Sequence, residues 1–327
     1  MQNQLSRRKF VANSLSGTLA AAVAGVAVPL SAAPAEPAHP APPASPEPMP
    51  KGKIGQLELS RLMLGTNIIT GYMHSRDLFY VKDLSAHYHT DEKILETFAE
   101  AEGQGINTFV THHQPNVVKL FTEHQRRGGR MRWIVAPTPQ ETRSVEDFET
   151  TVQALKRYGG DAIYVHGAAA DPLVQSGKVA QIRACVDIIK AQGVPAGVAA
   201  HDLETIKACE TAQIPCAFYL KTFHHHNYST APKPEQIIQP HSETPVAYWC
   251  SNPKETVDFM NTVTKPWIAY KVMAAGAIRP KDAFRYVYAK GADFILAGMF
   301  DFQIAEDAKI AREGIAKSAQ RERPWCG

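Results

Sequence analysis

From Leu62 onward, short apolar runs alternate with amphipathic stretches, and most of those stretches close on a glycine before the next run begins. The runs fall at 62–67, 108–113, 132–137, 162–167, 196–202, 216–223, 267–273 and 294–299. Each is short enough for a buried strand, and each intervening stretch has the apolar spacing of a surface helix. Eight such pairs within residues 51–327 match an α/β architecture, a single (β/α)8 TIM barrel, in both number and length. A doubly wound open sheet is the alternative, but it expects GxGxxG after its first strand. Here Leu64-Gly65-Thr66-Asn67 opens instead into a long loop, and a second long loop follows the sixth strand.

The residues before the barrel read as an address. Residues 1–33 carry a basic start, Ser6-Arg7-Arg8-Lys9-Phe10-Val11, then a mild Ala- and Gly-rich apolar stretch, then small residues at Ser31-Ala32-Ala33 suited to cleavage. The paired arginines before Phe10 resemble a twin-arginine export signal, which implies that the twin-arginine machinery carries the folded chain to the periplasm. The apolar stretch is weak for a spanning helix, so no stable membrane insertion is expected after cleavage; an uncleaved anchor is the alternative. Residues 34–50 hold eight prolines and read as a semi-rigid tether.

Charge and cysteine content exclude several classes. The chain has 35 Lys+Arg against 32 Asp+Glu, and the first 33 residues contribute Arg7, Arg8 and Lys9 with no acid, so the remainder is balanced at 32 against 32. Beyond Arg126, Arg127, Arg130 and Arg132 there is no basic cluster, and the expectation is a small-molecule substrate and no nucleic acid. Five cysteines without a CxxC pair give neither a disulfide framework nor a zinc ribbon, and any bridge between them is left open.

In such barrels chemistry sits at the C-terminal strand ends, and these ends are polar. The second strand ends in Thr111-His112-His113, the fourth in His166, the fifth in His201-Asp202 and the sixth in Lys221, followed by His224-His225-His226. Lys271 closes the seventh strand and Asp301 follows the eighth. Imidazoles from four strands can project toward one axial pocket and hold a divalent transition metal, with Zn, Mn, Fe, Co or Ni all suited to such ligands. His112, His113, His166, His201, His224 and His226 are the candidate ligands. Alternation along a strand turns only one of His112 and His113 inward, and puts His224 and His226 on one side if the strand runs that far. His87 is a rim candidate, His74 lies in the first long loop, His241 lies in the second, and Thr90 is placed as a helix N-cap. His124 follows a helical pattern and is expected to face solvent.

Three segments resemble the aldo-keto reductase family, a TIM-barrel family. Gly55 to Thr66 is similar to its opening hairpin and first strand, Asp91 to Phe109 to its first helix and second strand, and Asp161 to His166 to the fourth strand that ends in the family's active-site histidine. Only His166 retains that family's catalytic pattern. Val110-Thr111-His112-His113 stands where an Asp is expected, no Tyr follows among Gln114 to Val118, and Ala136-Pro137-Thr138 replaces the Lys. Carbonyl reduction with NADPH therefore lacks its proton donor. Two later segments, Lys271 to Ile278 and Gly291 to Met299, resemble the glycine turns of phosphate-binding barrels, although Asp301 would repel an anion there.

The expectation is a metal-dependent exported enzyme, a lyase, isomerase or epimerase acting on a sugar or sugar-derived substrate, with Lys221 or Lys271 as acid/base and Asp301 orienting one of them. A hydrolase uses the same parts. The alternatives are a Schiff-base lyase built on Lys221, a reductase-like oxidoreductase, and a non-catalytic metal-binding protein.

Overall fold

The structure is a computed structural model that describes residues 47–76, 78–233 and 250–327. The export signal, most of the tether, His241 and Trp249 lie outside the described residues. A two-residue turn at Gly55-Gln56 joins β1 (Lys51–Ile54) and β2 (Leu57–Ser60) into an antiparallel hairpin. Eight strands then close into a parallel barrel: β3 (Leu62–Gly65), β4 (Thr108–His112), β5 (Arg132–Ala136), β6 (Ala162–Val165), β7 (Ala196–Ala200), β8 (Phe218–Thr222), β9 (Trp267–Tyr270) and β10 (Phe294–Gly298). Closure comes from β10 pairing with β3, Ile295 opposite Leu62 through Gly298 opposite Gly65.

All eight expected strands are present. Several end earlier than the apolar runs suggest, because the chain turns as soon as it clears the barrel rim. Lys271 shows this most clearly: it is the first residue past β9 and has a left-handed backbone, φ 57°.

Alternation sorts the strand side chains into two layers. Met63, Val110, Ile134, Tyr164, Phe218, Leu220 and Ile268 fill the barrel, while Leu64, Phe109, Trp133, Ile163, Tyr219 and Trp267 face the helices. The interior is shared unevenly between strands. β7 reads Ala-Gly-Val-Ala-Ala, and a Cβ on Gly197 would lie 2.4 Å from the Phe218 ring, so the missing side chain of one strand makes room for the large one of its neighbour.

The outer helices are α1 (Phe79–Tyr88), α2 (Asp91–Gly103), α3 (Pro115–Arg126), α4 (Val145–Arg157), α5 (Gly167–Gln175), α6 (Val179–Ala191), α7 (Leu203–Thr211), α8 (Pro253–Met260), α9 (Pro280–Ala289) and α10 (Asp301–Lys317). Thr90 caps α2 by accepting from the Lys93 N–H at 3.2 Å, with Asp91 and Glu92 in the first turn of the helix dipole. Ser144 caps α4 in the same way. None of the described helices is long and apolar enough to cross a membrane.

His124 is buried rather than solvent-facing. It lies on the apolar stripe Val117, Leu120, Phe121, His124 of α3, edge-on to Phe98 at 5.3 Å, with Nε2 2.8 Å from the Glu102 carboxylate. None of the five cysteines is in a disulfide; four are buried and Cys326 is half-buried.

The N-terminal end of the barrel is closed by the hairpin, whose Ile54 and Leu59 join the interior cluster, and by the last residues of the chain. Asp293, fully buried just before β10, organises this end. Its Oδ1 accepts from Arg321 at 2.7 Å and from the Cys326 N–H at 2.8 Å, and its Oδ2 accepts from Arg323 at 2.7 Å and from the Trp267 N–H at 2.9 Å. The Arg61 and Arg321 guanidiniums stack on Trp325, 4.1 and 3.5 Å from its ring centre. Both the hairpin and this clamp lie away from the polar strand ends, which leaves the opposite rim open for a site.

Candidate active site

A cavity of about 760 Å³ opens at the C-terminal strand ends. Four of the nine residues expected to act together line it: His112, His166, His201 and Lys271. His74 from the loop after β3 joins them. The other five are held elsewhere by interactions that the sequence alone does not display.

His113 points away from its neighbour, as strand alternation requires, and its Nδ1 is 2.7 Å from Glu141 Oε1. Glu141 also receives the Thr138 N–H and hydroxyl on its other oxygen, so His113 braces the short 3-10 turn Gln140–Thr142 at the rim. Lys221 is fully buried on the outward face of β8, between inward Leu220 and Thr222, and its ammonium donates to the carbonyls of His201 (2.8 Å) and Thr222 (2.9 Å). It is a tie between strand ends, not a nucleophile in the cavity.

His224 and His226 lie beyond the end of β8 and share a different target from the one expected. His224 accepts the Cys250 N–H at 3.2 Å, and His226 donates to the Cys250 carbonyl at 2.5 Å. With its Nε2 accepting, His224 carries its proton on Nδ1, which donates to the Lys271 carbonyl at 3.1 Å. The pair therefore braces the chain at Cys250 and fixes the turn at Lys271. Asp301, in the first turn of α10, accepts from the Tyr88 hydroxyl at 2.8 Å and from Lys93 at 3.2 Å, so it orients neither lysine of the sequence reading. His87 is exposed in the last turn of α1. Among the described residues no three His, Cys, Asp or Glu side chains stand together as a metal-holding group. The six-histidine ligand set is thus divided between the cavity and its supports.

The groups that do meet have distinct states. Burial pulls the Lys271 ammonium down to about 7, against a smaller opposing pull from Asp171. Burial also lowers His74 and His166 to about 3, with Lys271 adding to both, and lowers His112 and His201. These imidazoles are neutral near pH 7, so each ring has one donor and one acceptor nitrogen. His166 is the N-cap of α5 and its Nδ1 accepts the Ala168 N–H at 3.2 Å, which places its proton on Nε2. His201 has the opposite arrangement: its Nδ1 lies 2.9 Å from Asp171 Oδ2, leaving Nε2 unprotonated. The two rings present a donor and an acceptor to one cavity.

Packing fixes these orientations. A Cβ on Gly167 would stand 3.1 Å from the His201 ring and 3.2 Å from the Tyr270 hydroxyl, so a larger residue at the start of α5 would press on both. His112 is braced edge-on by Tyr72 at 4.7 Å and lies 6.0 Å from His166, centre to centre. Tyr72, Tyr164 and Tyr270 line the cavity, and burial raises the last two, which keeps their hydroxyls protonated. Sequence reasoning missed these tyrosines and Asp171. Asp171 had a signal, as the lone acid in the apolar start Gly-Ala-Ala-Ala-Asp of a helix following a strand-end histidine.

No protein-family model matches the chain, and no curated protein matches it in sequence. In fold it is similar to the apo form of Gox0644, at 10% identity and a TM-score of 0.54 over 86% of this chain and 97% of that one. It is also similar to a variant of Gox0644 in complex with NADPH, at 10% identity and 0.52 over 83% and 94%. An aldo-keto reductase from a deep-sea metagenome library follows at 12% identity and 0.47, over 83% and 96%. At such identities the likeness concerns the fold alone. Fold and cavity together define the chain as a TIM barrel with a histidine-rich pocket at its C-terminal rim.

Proposed function

We propose that the chain is a lysine-dependent lyase or isomerase acting on a polyhydroxylated carbonyl compound, a sugar or sugar derivative, with Lys271 as the reacting amine. One observation carries this reading: Lys271 stands in the cavity with its ammonium lowered to about 7, so much of it is the free amine at neutral pH. The amine attacks the substrate carbonyl carbon, the oxygen leaves as water, and the resulting iminium draws electrons from the neighbouring carbon. His166 Nε2–H hydrogen-bonds the carbonyl oxygen, a role that a neutral imidazole at a helix N-terminus suits, and the two protons of the departing water come one from the amine and one from solvent. Asn67, Gln140 and Thr111 on the wall suit hydroxyl recognition, and Tyr72 offers an aromatic face. The twin-arginine-like start of residues 1–33 supports reading the chain as an exported, periplasmic enzyme.

The test is reductive trapping. The chain is incubated with aldoses and ketoses of three to six carbons, treated with borohydride and mapped by peptide mass. A substrate-sized adduct on Lys271 that is absent from Lys271→Met supports the reading; no adduct on Lys271 with any sugar overturns it.

A second reading, a divalent transition metal, is favoured by four neutral imidazoles facing one cavity. His166 and His201 would be the first ligands, after a rearrangement that brings a third group to them. Elemental analysis of the natively exported, tag-free chain tests it: about one Zn, Mn, Fe, Co or Ni per chain, lost in His166→Ala and His201→Ala, would replace the lysine reading.

A further inference from the structure

We propose that His201 is the base that takes the proton from the carbon beside the reacting carbonyl, and that Asp171 is the positioning residue that makes it one. The role assigned to His201 rests on the lysine reading above; the pairing with Asp171 stands on geometry alone.

Asp171 lies in α5, one turn past His166, and is about 1% exposed. A carboxylate taken so far from water needs its lone pairs filled, and here they are. Oδ2 accepts the His201 backbone N–H at 3.0 Å and faces the His201 Nδ1 at 2.9 Å. Oδ1 accepts the Thr205 hydroxyl at 2.8 Å and, more distantly, the Asp202 N–H at 3.5 Å. These donors lie at the strand end and first turn of α7, where a helix N-terminus favours negative charge. The same oxygen holds both the backbone and the ring of His201, so a swing or flip of the imidazole would lose its bond to a carboxylate that the strand end and α7 hold in place. Gly167 and Tyr270 pack against the ring: the ring centre of Tyr270 is 5.6 Å from that of His201, and a Cβ at Gly167 would stand 3.1 Å from the imidazole.

An ionised carboxylate can only accept, so Nδ1 must carry the proton and Nε2, on a ring that lines the cavity, has the lone pair. This is the base-and-orienter arrangement found wherever an imidazole must take a proton from a substrate. Once the iminium has formed on Lys271, His201 Nε2 removes the proton from the adjacent carbon. The C–H electron pair becomes the enamine double bond, and the iminium π electrons move onto nitrogen. The imidazolium that results lies against the Asp171 carboxylate, which stays ionised and stabilises it. Return of the proton to the other face of the same carbon, followed by hydrolysis of the iminium, gives epimerisation; loss of a β-hydroxyl, protonated by the His201 imidazolium and leaving as water, gives elimination. Neighbouring His166 has the opposite tautomer and cannot serve, because its Nδ1 lone pair is already committed to the Ala168 N–H.

Long-range proton–nitrogen correlation of the imidazoles of the full chain at pH 7.5 reads the tautomer directly, with His201 assigned by its loss in His201→Gln. The expected result is a protonated Nδ1 and an unprotonated Nε2; a protonated Nε2 in the unaltered chain overturns the proposal without any further variant. Asp171→Asn, whose amide can also donate, should move the proton toward Nε2 and slow diethyl pyrocarbonate modification of His201 at least about tenfold, while Asp171→Glu restores part of it. Unchanged tautomer and rate in Asp171→Asn would also overturn it. With a ketose that traps on Lys271, exchange of its α-proton in deuterium oxide should lose kcat with little change in KM in Asp171→Asn. Full exchange with the imine still trapped removes His201 as base and leaves Lys271 standing. A missing imine beside the expected tautomer removes the lysine reading and leaves the pairing.

Discussion

Lys271 owes its behaviour to two neighbours in the chain. Tyr270 before it ends β9, and His224 fixes its carbonyl, so the backbone turns left-handed where the side chain enters the cavity. Strain of this kind persists only where the surroundings hold it. Because the charged form is the one disfavoured by burial, the amine is free above about pH 7 and protonated below it. Acylation of Lys271 by acetic anhydride, followed by peptide mapping, should therefore rise through a midpoint near 7, whereas exposed lysines of the same digest rise near 10. A midpoint near 10 for Lys271 would remove the basis of the proposed chemistry. At this scale the sequence was half legible. Histidines at strand ends named three true members of the cavity, whereas Lys221, expected to act in it, is outward between Leu220 and Thr222. What no local pattern could give was the partner of each group: Glu141 for His113 comes from the next loop, and Cys250 for His224 and His226 lies 24 to 26 positions away.

The loop between β9 and α9 shows how an element serves the site. Lys271, Ala274 and Ala275 all have positive φ, and Gly276 follows them with φ 84°. The turn is tied by Ala274 N–H to the Lys271 carbonyl at 3.0 Å and Ile278 N–H to the Met273 carbonyl at 3.0 Å. An alanine in this region lacks the freedom of glycine, so Ala275→Gly should raise stability by roughly 0.5–1 kcal/mol in urea unfolding. A loss of that size would show that the conformation is not strained at that position. Strand and helix identities in the barrel were legible because burial on both strand faces and amphipathic helices give clear periods. Thr90 as a cap was legible for the same local reason. Strand ends were not, since the residues past β8 and β9 continue an apolar or polar run while the backbone has already left the ladder.

At the scale of the whole molecule, one end of the barrel holds the charged clamp and the other holds the cavity. Asp293 is the key to the first. Asp293→Asn keeps the shape but leaves Arg321 and Arg323 buried with a neutral partner, and should cost about 3–5 kcal/mol in chemical unfolding while Lys271 still titrates normally. A cost below 1 kcal/mol would mean that the clamp is replaceable. The second end sets the acid limit. His74, His166 and His224 are neutral in the fold down to about pH 3 but bind protons in the unfolded chain below about 6.5. Between those values the unfolded state takes up more protons, so stability present above pH 6.5 should fall steadily toward pH 3. Melting temperatures that stay level between pH 6.5 and 4 would contradict this. The overall architecture was readable from eight repeats, while the division of labour between its ends was not, because it depends on which long-range partners each polar residue finds. Gly197 and Phe218 carry a last implication, for how such a chain can drift over generations. The two positions are joint tenants of one space, and the first cannot grow while the second stays large: in natural relatives of this barrel a bulkier residue at the first should be accompanied by a smaller one at the second, and a pair that grew together would mark a lineage whose barrel had been re-proportioned.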